Sequence, residues 1–218
     1  MITLYGFGRL FRQVIGETRD LRVEWALQET QLPYRVHPLD HTGGEMDSDA
    51  YGRISPFRLV PVIDDGGFIV AESGAILLYL AEKSGKLIPA DFEGRSHVSQ
   101  WCFAALTTVE RPMMEIQLID KFGDESVAER RRQMVKEAGR WLDGLERRLE
   151  GREWIACSEF TVADILLATV LREIRKTDLT DPYPRLKDYY ARALARPAWH
   201  RTLSSYAARL GVSVADIR

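Results

Sequence analysis

The chain has 218 residues, 45% hydrophobic and 28% charged, with 16 glycines and 9 prolines, which is material for one large domain or two small ones and not for a disordered or low-complexity chain. Thirty Lys and Arg against 32 Asp and Glu leave a net charge of −2, so no overall field draws the chain to nucleic acid or to an anionic membrane. Cys102 and Cys157 make neither a disulfide framework nor a Cys-x-x-Cys pair, and without a leader-like N-terminus or an apolar run of about 18 residues the expected location is the reducing cytoplasm.

Ile2 to Tyr5 reads as a short strand ended by Gly6 and Gly8. Leu21 to Glu29 places Leu21, Val23, Trp25, Ala26 and Leu27 among strong helix formers and predicts a helix starting near residue 18. Tyr34 to His37, Leu59 to Ile63 and Phe68 to Val70 read as further strands, the last two joined by the hairpin signal Asp64-Asp65-Gly66-Gly67. Ala75 to Ala81 is a buried helix, with Ser73 near its start and Gly85 placed for a left-handed C-cap.

After Pro89 only helical patterns remain. From Met134 to Leu149 the apolar residues Val135, Ala138, Leu142, Leu145 and Leu149 step by threes and fours. The Arg130-Arg131-Arg132 run is interleaved with acidic residues and reads as a solvated helix face. Val162 to Leu171 is apolar almost all round, the signature of a central buried helix, with Thr161 and Asp164 spaced as a capping box.

Pro61 lies where a ladder donor would be needed, so the position is an edge, a bulge or a cis bond that turns the chain toward a ligand. Glu72-Ser73 follows the hairpin at the head of a helix, whose free N–H groups suit a carboxylate while Glu72 suits an ammonium. Together these features fit an amino-acid zwitterion.

The order βαβ then ββα, the Val60-Pro61-Val62-Ile63 and Glu72-Ser73 motifs, the helical second half and Phe160-Thr161-Val162-Ala163-Asp164 resemble the soluble, bacterial-type glutathione transferase family over essentially the whole chain. The resemblance implies an α/β thioredoxin-like N-terminal domain (1–85) that binds glutathione and an all-α C-terminal domain (92–218) that contributes the acceptor site. It implies Val60 and Pro61 for the cysteinyl backbone of glutathione as cosubstrate, Glu72 and Ser73 for the γ-glutamyl end, and a homodimer. The expected reaction conjugates the glutathione thiolate to a small hydrophobic electrophile, or reduces the electrophile. The alternatives are a non-catalytic interaction module, or a glutathione-dependent isomerase, peroxidase or dehalogenase.

The departure from the family lies at the sulfur. Where the family places Ser, Cys or Tyr, Gly6 to Trp25 contains neither Ser nor Cys, and Arg9 to Glu17 looks like an insertion. Its apolar residues Leu10, Phe11, Val14 and Ile15 are expected to form a lid or wall. Thr18 is the hydroxyl left at the helix start, read either as an N-cap or as the group contacting the thiolate, with Tyr5 as its competitor. His37, His41, His97 and His200 have no metal-ligand spacing, and Cys102 falls on a helical stripe that reads as packing. Phe103, Thr107, Glu110 and Met114 read equally as an acceptor-pocket stripe or a helix interface.

Overall fold

The computed structural model describes residues 1–217. Contacts divide the chain into two units, one made of Met1–Lys86 with the stretch from Arg196 onward, the other of Leu87–Ala195.

The first unit is built on a four-stranded sheet in the order β2-β1-β3-β4, from β1 (Ile2–Arg9), β2 (Tyr34–Asp40), β3 (Val62–Asp65) and β4 (Phe68–Ala71). β1 runs parallel to β2 and antiparallel to β3, and β3 and β4 form the expected hairpin, with Gly66 and Gly67 at φ 68° and 98°. Both central turn positions are left-handed, the geometry that glycine adopts without steric cost. α1 (Asp20–Thr30), α2 (Asp49–Ile54) and α3 (Ser73–Ser84) complete a thioredoxin-like arrangement. Gly85 caps α3 at φ 66°, with its N–H on Ala81.

Two strand boundaries differ from the sequence reading. β1 continues through Gly6 and Gly8, pairing Gly6 with Pro38 and Phe7 with Leu39. The glycines end nothing; they permit close approach, since a Cβ on Gly6 would stand 2.9 Å from Asp20 Oδ2 and one on Gly8 2.4 Å from Pro38 Cβ. β3 begins at Val62 and not at Leu59. The Leu59 amide and carbonyl are bonded to the Ser55 hydroxyl, and Pro61 has no N–H for the ladder.

The first unit is completed by α9 (Pro197–Leu210), which packs on α1. This differs from the expected 92–218 division, and the reason lies on α1. Trp25 and Trp199 are both buried with ring centroids 4.7 Å apart, and Arg196 grips Glu29 with two donors. Arg209 reaches Asp20 and Glu24, two carboxylates with no exposure. Carboxyl groups at zero exposure require such a partner.

In the second unit α4 (Phe92–Phe103) runs through a π-helical stretch, 104–109, into α5 (Glu110–Phe122), followed by α6 (Ala128–Arg148), α7 (Val162–Leu171) and α8 (Pro184–Leu194). Every residue of α7 is buried, as its apolar circumference requires. The Asp164 carboxylate accepts the amides of Thr161 (2.8 Å) and Ile155 (2.9 Å) and the Tyr189 hydroxyl (3.0 Å), so the capping box also secures the loop before α7. α6 starts at Ala128 and carries the arginine run on its face, as the sequence reading placed it, with the run paired: Arg130 with Glu115, Arg131 with Asp120, and Arg132 with Glu129. Burial pushes the Cys102 thiol up to about 12, so it is a packing residue in the neutral range.

Candidate functional site

An open cleft in the first unit is lined by Arg19, Ser55, Pro56, Phe57, Leu59, Val60, Pro61, Ala71, Glu72 and Ser73. It gathers Val60, Pro61, Glu72 and Ser73, which the sequence placed in one site, and adds Arg19 and the loop 55–59.

The loop is fixed by side chains that bond its backbone. Tyr51 of α2 donates its hydroxyl to the Leu59 carbonyl at 2.8 Å, and Ser55 Oγ accepts the Leu59 amide at 2.9 Å while donating to its carbonyl at 3.0 Å. Burial pushes the Tyr51 phenol up to about 12, which keeps it a neutral donor. Arg58, at φ 54°, donates to the carbonyls of Met46 and Ser48. The chain then passes through a cis Val60–Pro61 bond into β3, one of the arrangements that the sequence left open for this proline.

Across the cleft, β4 ends at Ala71 and α3 begins at Ser73. Glu72, between them, is exposed and held at φ 69°, ψ 118°. A non-glycine residue in this region carries about 1–3 kcal/mol of strain and persists where the surroundings dictate it, often at a ligand clamp. Ser73 is buried at the first turn of α3, where amide donors are unpaired by the helix itself. The Arg22 guanidinium, also buried, donates to Ser73 Oγ at 3.4 Å and adds positive charge behind the helix start. This end of the cleft therefore offers a carboxylate site beside an exposed carboxylate suited to an ammonium.

At the opposite end stands the start of α1. Its N-cap is Arg19, and no side chain caps it. The N-cap reading of Thr18 thus gives way to a different bond: Thr18 Oγ1 lies 2.8 Å from Tyr206 Oη of α9. Thr18 directly precedes Arg19, a residue of the cleft wall. Tyr5, like Thr18, is not among the residues lining the cleft; its ring is 5.0 Å from His37 and 6.3 Å from Tyr51 between centroids, and it packs with Val60 and Ala71 on the cluster of Leu39, Tyr51 and Val62.

The segment between β1 and α1 forms a short 3-10 turn (Arg12–Val14). Phe11 is exposed and its ring sits edge-on to His41, while Leu10, Val14 and Ile15 are half-buried. Gly16, at φ 84°, is packed so closely that an added Cβ would stand 2.8 Å from Ile217 Cγ2. Sequence reasoning missed Tyr206, Arg209 and Ile217 because their partners lie roughly two hundred positions away in the chain; Arg22 was visible as a helical residue without a role. Among the described residues there is no His, Cys, Asp and Glu grouping that would hold a metal ion, and no helix is long and apolar enough to cross a membrane.

Residues 21–83 match the family described as glutathione S-transferase, N-terminal domain, and residues 126–192 match the glutathione S-transferase C-terminal domain. The chain is 27% identical over 202 residues to a glutathione S-transferase of Hyoscyamus muticus, covering 84% of this chain and 92% of the relative. It is 29% identical over 186 residues to the disulfide-bond oxidoreductase YfcG of Escherichia coli, covering 81% and 86%. A glutathione transferase family member from Pseudomonas fluorescens, solved with two glutathione molecules bound, superimposes with a TM-score of 0.80 at 31% identity, covering 92% of this chain and 91% of that one.

Proposed function

Because this chain belongs to the glutathione S-transferase family, we propose that the cleft of the first unit binds glutathione and activates its thiol for transfer to an electrophile. The observation that carries the reading is the convergence of Val60, Pro61, Glu72 and Ser73 on one cleft, with the start of α3 at one end and that of α1 at the other. Glutathione has two carboxylates, one ammonium and one thiol. The γ-glutamyl carboxylate belongs at Ser73 and the α3 amides, with Arg22 behind them, and the ammonium at Glu72. The cysteinyl backbone pairs with Val60 beside Pro61.

An unperturbed thiol near pKa ~8.5 is only a few per cent ionised at neutral pH, so transfer requires activation. We assign this role to the α1 start and to the Thr18 hydroxyl. Thr18 adjoins a wall residue of the cleft, whereas Tyr5 is engaged with Tyr51 and His37. A hydroxyl donor and the helix dipole together supply roughly 2–4 kcal/mol, or about 1.5–3 pKa units.

The acceptor is read as a small hydrophobic electrophile seated on the helical unit, where Phe103 and Thr107 are exposed on successive turns and Glu110 is buried. Two free cysteines suit a cytoplasmic setting. Exposed Phe57, Phe68 and Ile69 on the first unit support association into a homodimer, which light scattering at twice the monomer mass would establish.

The deciding experiment titrates the protein with glutathione and then follows thiolate absorbance of the complex against pH. Saturable binding with a bound-thiol pKa well below that of free glutathione is expected. Saturable binding with an unshifted thiol indicates an interaction module, and absence of binding overturns the reading.

A further inference from the structure

Tyr206 has no solvent exposure, and its hydroxyl oxygen sits between two groups of the segment leading into α1. The Gly16 amide donates to it at 3.3 Å, and Thr18 Oγ1 lies 2.8 Å away. Either hydroxyl is able to donate across the shorter contact. Burial decides between them. The phenol is fully buried, and the Gly16 amide is itself a donor, so Thr18 Oγ1 is the acceptor within its reach among the described residues. An unpaired buried hydroxyl proton is costly, so Tyr206 donates and Thr18 accepts.

That direction fixes the remaining proton. Having accepted from Tyr206, Thr18 keeps its own hydrogen for a third group. Had the bond run the other way, Thr18 would have spent its single hydrogen on Tyr206 and offered only lone pairs to an approaching thiolate. Burial and the neighbouring Asp20 charge hold the Tyr206 phenol protonated far above the neutral range, so the donor is constant in working conditions.

We propose that Tyr206 is a positioning residue for thiol activation: it commits the Thr18 hydroxyl as a donor toward the glutathione sulfur and polarises it through a two-bond chain. The inference rests on the reading of Thr18 as the thiolate contact. It also gives α9 a role in the chemistry of the cleft, since Tyr206 belongs to the helix that closes the first unit from the far end of the chain.

The test measures the bound-glutathione thiol pKa in the full-length protein and in Thr18→Val, Tyr206→Phe and the double variant, together with glutathione Kd for each. Thr18→Val is expected to raise the pKa by about 1 unit and Tyr206→Phe by about 0.5 unit, both with Kd for the protonated thiol, measured below the bound pKa, within about twofold of the parent. The double variant should match Thr18→Val alone, because Tyr206 acts only through Thr18. An unshifted pKa in Thr18→Val overturns the Thr18 reading itself. A shift in Thr18→Val with none in Tyr206→Phe overturns the Tyr206 role alone. Additive shifts also overturn it, since the phenol would then be acting through the Gly16 loop. If Tyr206→Phe does not fold, fluorotyrosine at position 206 supplies a stronger donor of nearly the same shape; it should lower the thiol pKa, and an unchanged value overturns the role.

Discussion

The Arg209 guanidinium donates to Asp20 Oδ2 at 3.1 Å, where the carboxylate has no exposure and also accepts the Phe7 amide at 3.1 Å. The same guanidinium reaches Glu24 Oε2 at 2.7 Å and the Phe7 carbonyl at 2.9 Å, so a single side chain of α9 joins β1 and two turns of α1. Arg209→Met removes the cation and leaves two buried carboxylates without it. We expect a loss of about 3–5 kcal/mol in unfolding free energy, the cost of breaking a buried pair from one side. Denaturant titration checks it; a loss below 1 kcal/mol would show that the carboxylates are satisfied without Arg209.

Ser73→Ala and Glu72→Gln should each weaken glutathione binding by about 1–3 kcal/mol, since each leaves a charged group of the ligand without its partner. Isothermal titration gives the values. Glu72→Gly offers a further contrast: it relieves the φ of 69°, so it should gain thermal stability while binding glutathione less tightly.

Thr18→Val and Tyr5→Phe separate the two hydroxyls proposed for the sulfur. At saturating glutathione, the first should displace the pH dependence of kcat/KM for the electrophile upward by about 1 unit, and the second should leave it in place. A displacement seen only in Tyr5→Phe transfers the role to Tyr5.

Gly16→Ala tests the turn before α1. An alanine there meets Ile217 Cγ2 at 2.8 Å and the Ile217 carbonyl oxygen at 3.0 Å, on a backbone at φ 84°, and should cost about 1–3 kcal/mol of stability. Thermal melts read it directly. Because the turn carries Thr18 two residues on, the bound-thiol pKa should rise in the same variant.

Asp65 accepts from Lys83 at 2.6 Å and from the Tyr79 hydroxyl at 2.7 Å, tying the hairpin to α3. These bonds, that from Lys83 first, hold its carboxyl below the ordinary 3.8. A lowered carboxylate pKa stabilises the fold above the unfolded value and loses that contribution as pH falls through the folded one. Asp65→Asn should therefore cost about 1 kcal/mol at neutral pH, and the difference from the parent should vanish once the pH is well below 3.8. A difference independent of pH would assign the effect to shape and not to charge.

Local chemistry made much of the first unit legible in the sequence. The two-glycine turn, the left-handed cap at Gly85 and the misplaced proline at 61 each mark a backbone requirement within a few residues, and each is where it was expected. Strand ends were less legible, because Gly6 and Gly8 serve close approaches to Asp20 and Pro38, and a sequence does not show what stands opposite a glycine. Least legible was α9. Its apolar stripe fits any helical partner, and only the buried carboxylates of Asp20 and Glu24 demand Arg209. The Thr18 environment was hidden for the same reason, since its hydroxyl partner is a tyrosine of that helix.

Because the first unit takes its last helix from the end of the chain, the order of synthesis and the order of completion are opposed. On the ribosome, residues 1–86 emerge first but lack Trp199, Arg196 and Arg209 to cover and neutralise α1, whereas residues 87–195, a compact unit by themselves, are all made before α9. Domains commonly mature from the N-terminus during translation; here the middle of the chain is expected to mature ahead of its beginning. Stalled nascent chains give the measurement. Protease resistance should reach the helical unit first, and the sheet should become resistant only once the chain has emerged past Leu210.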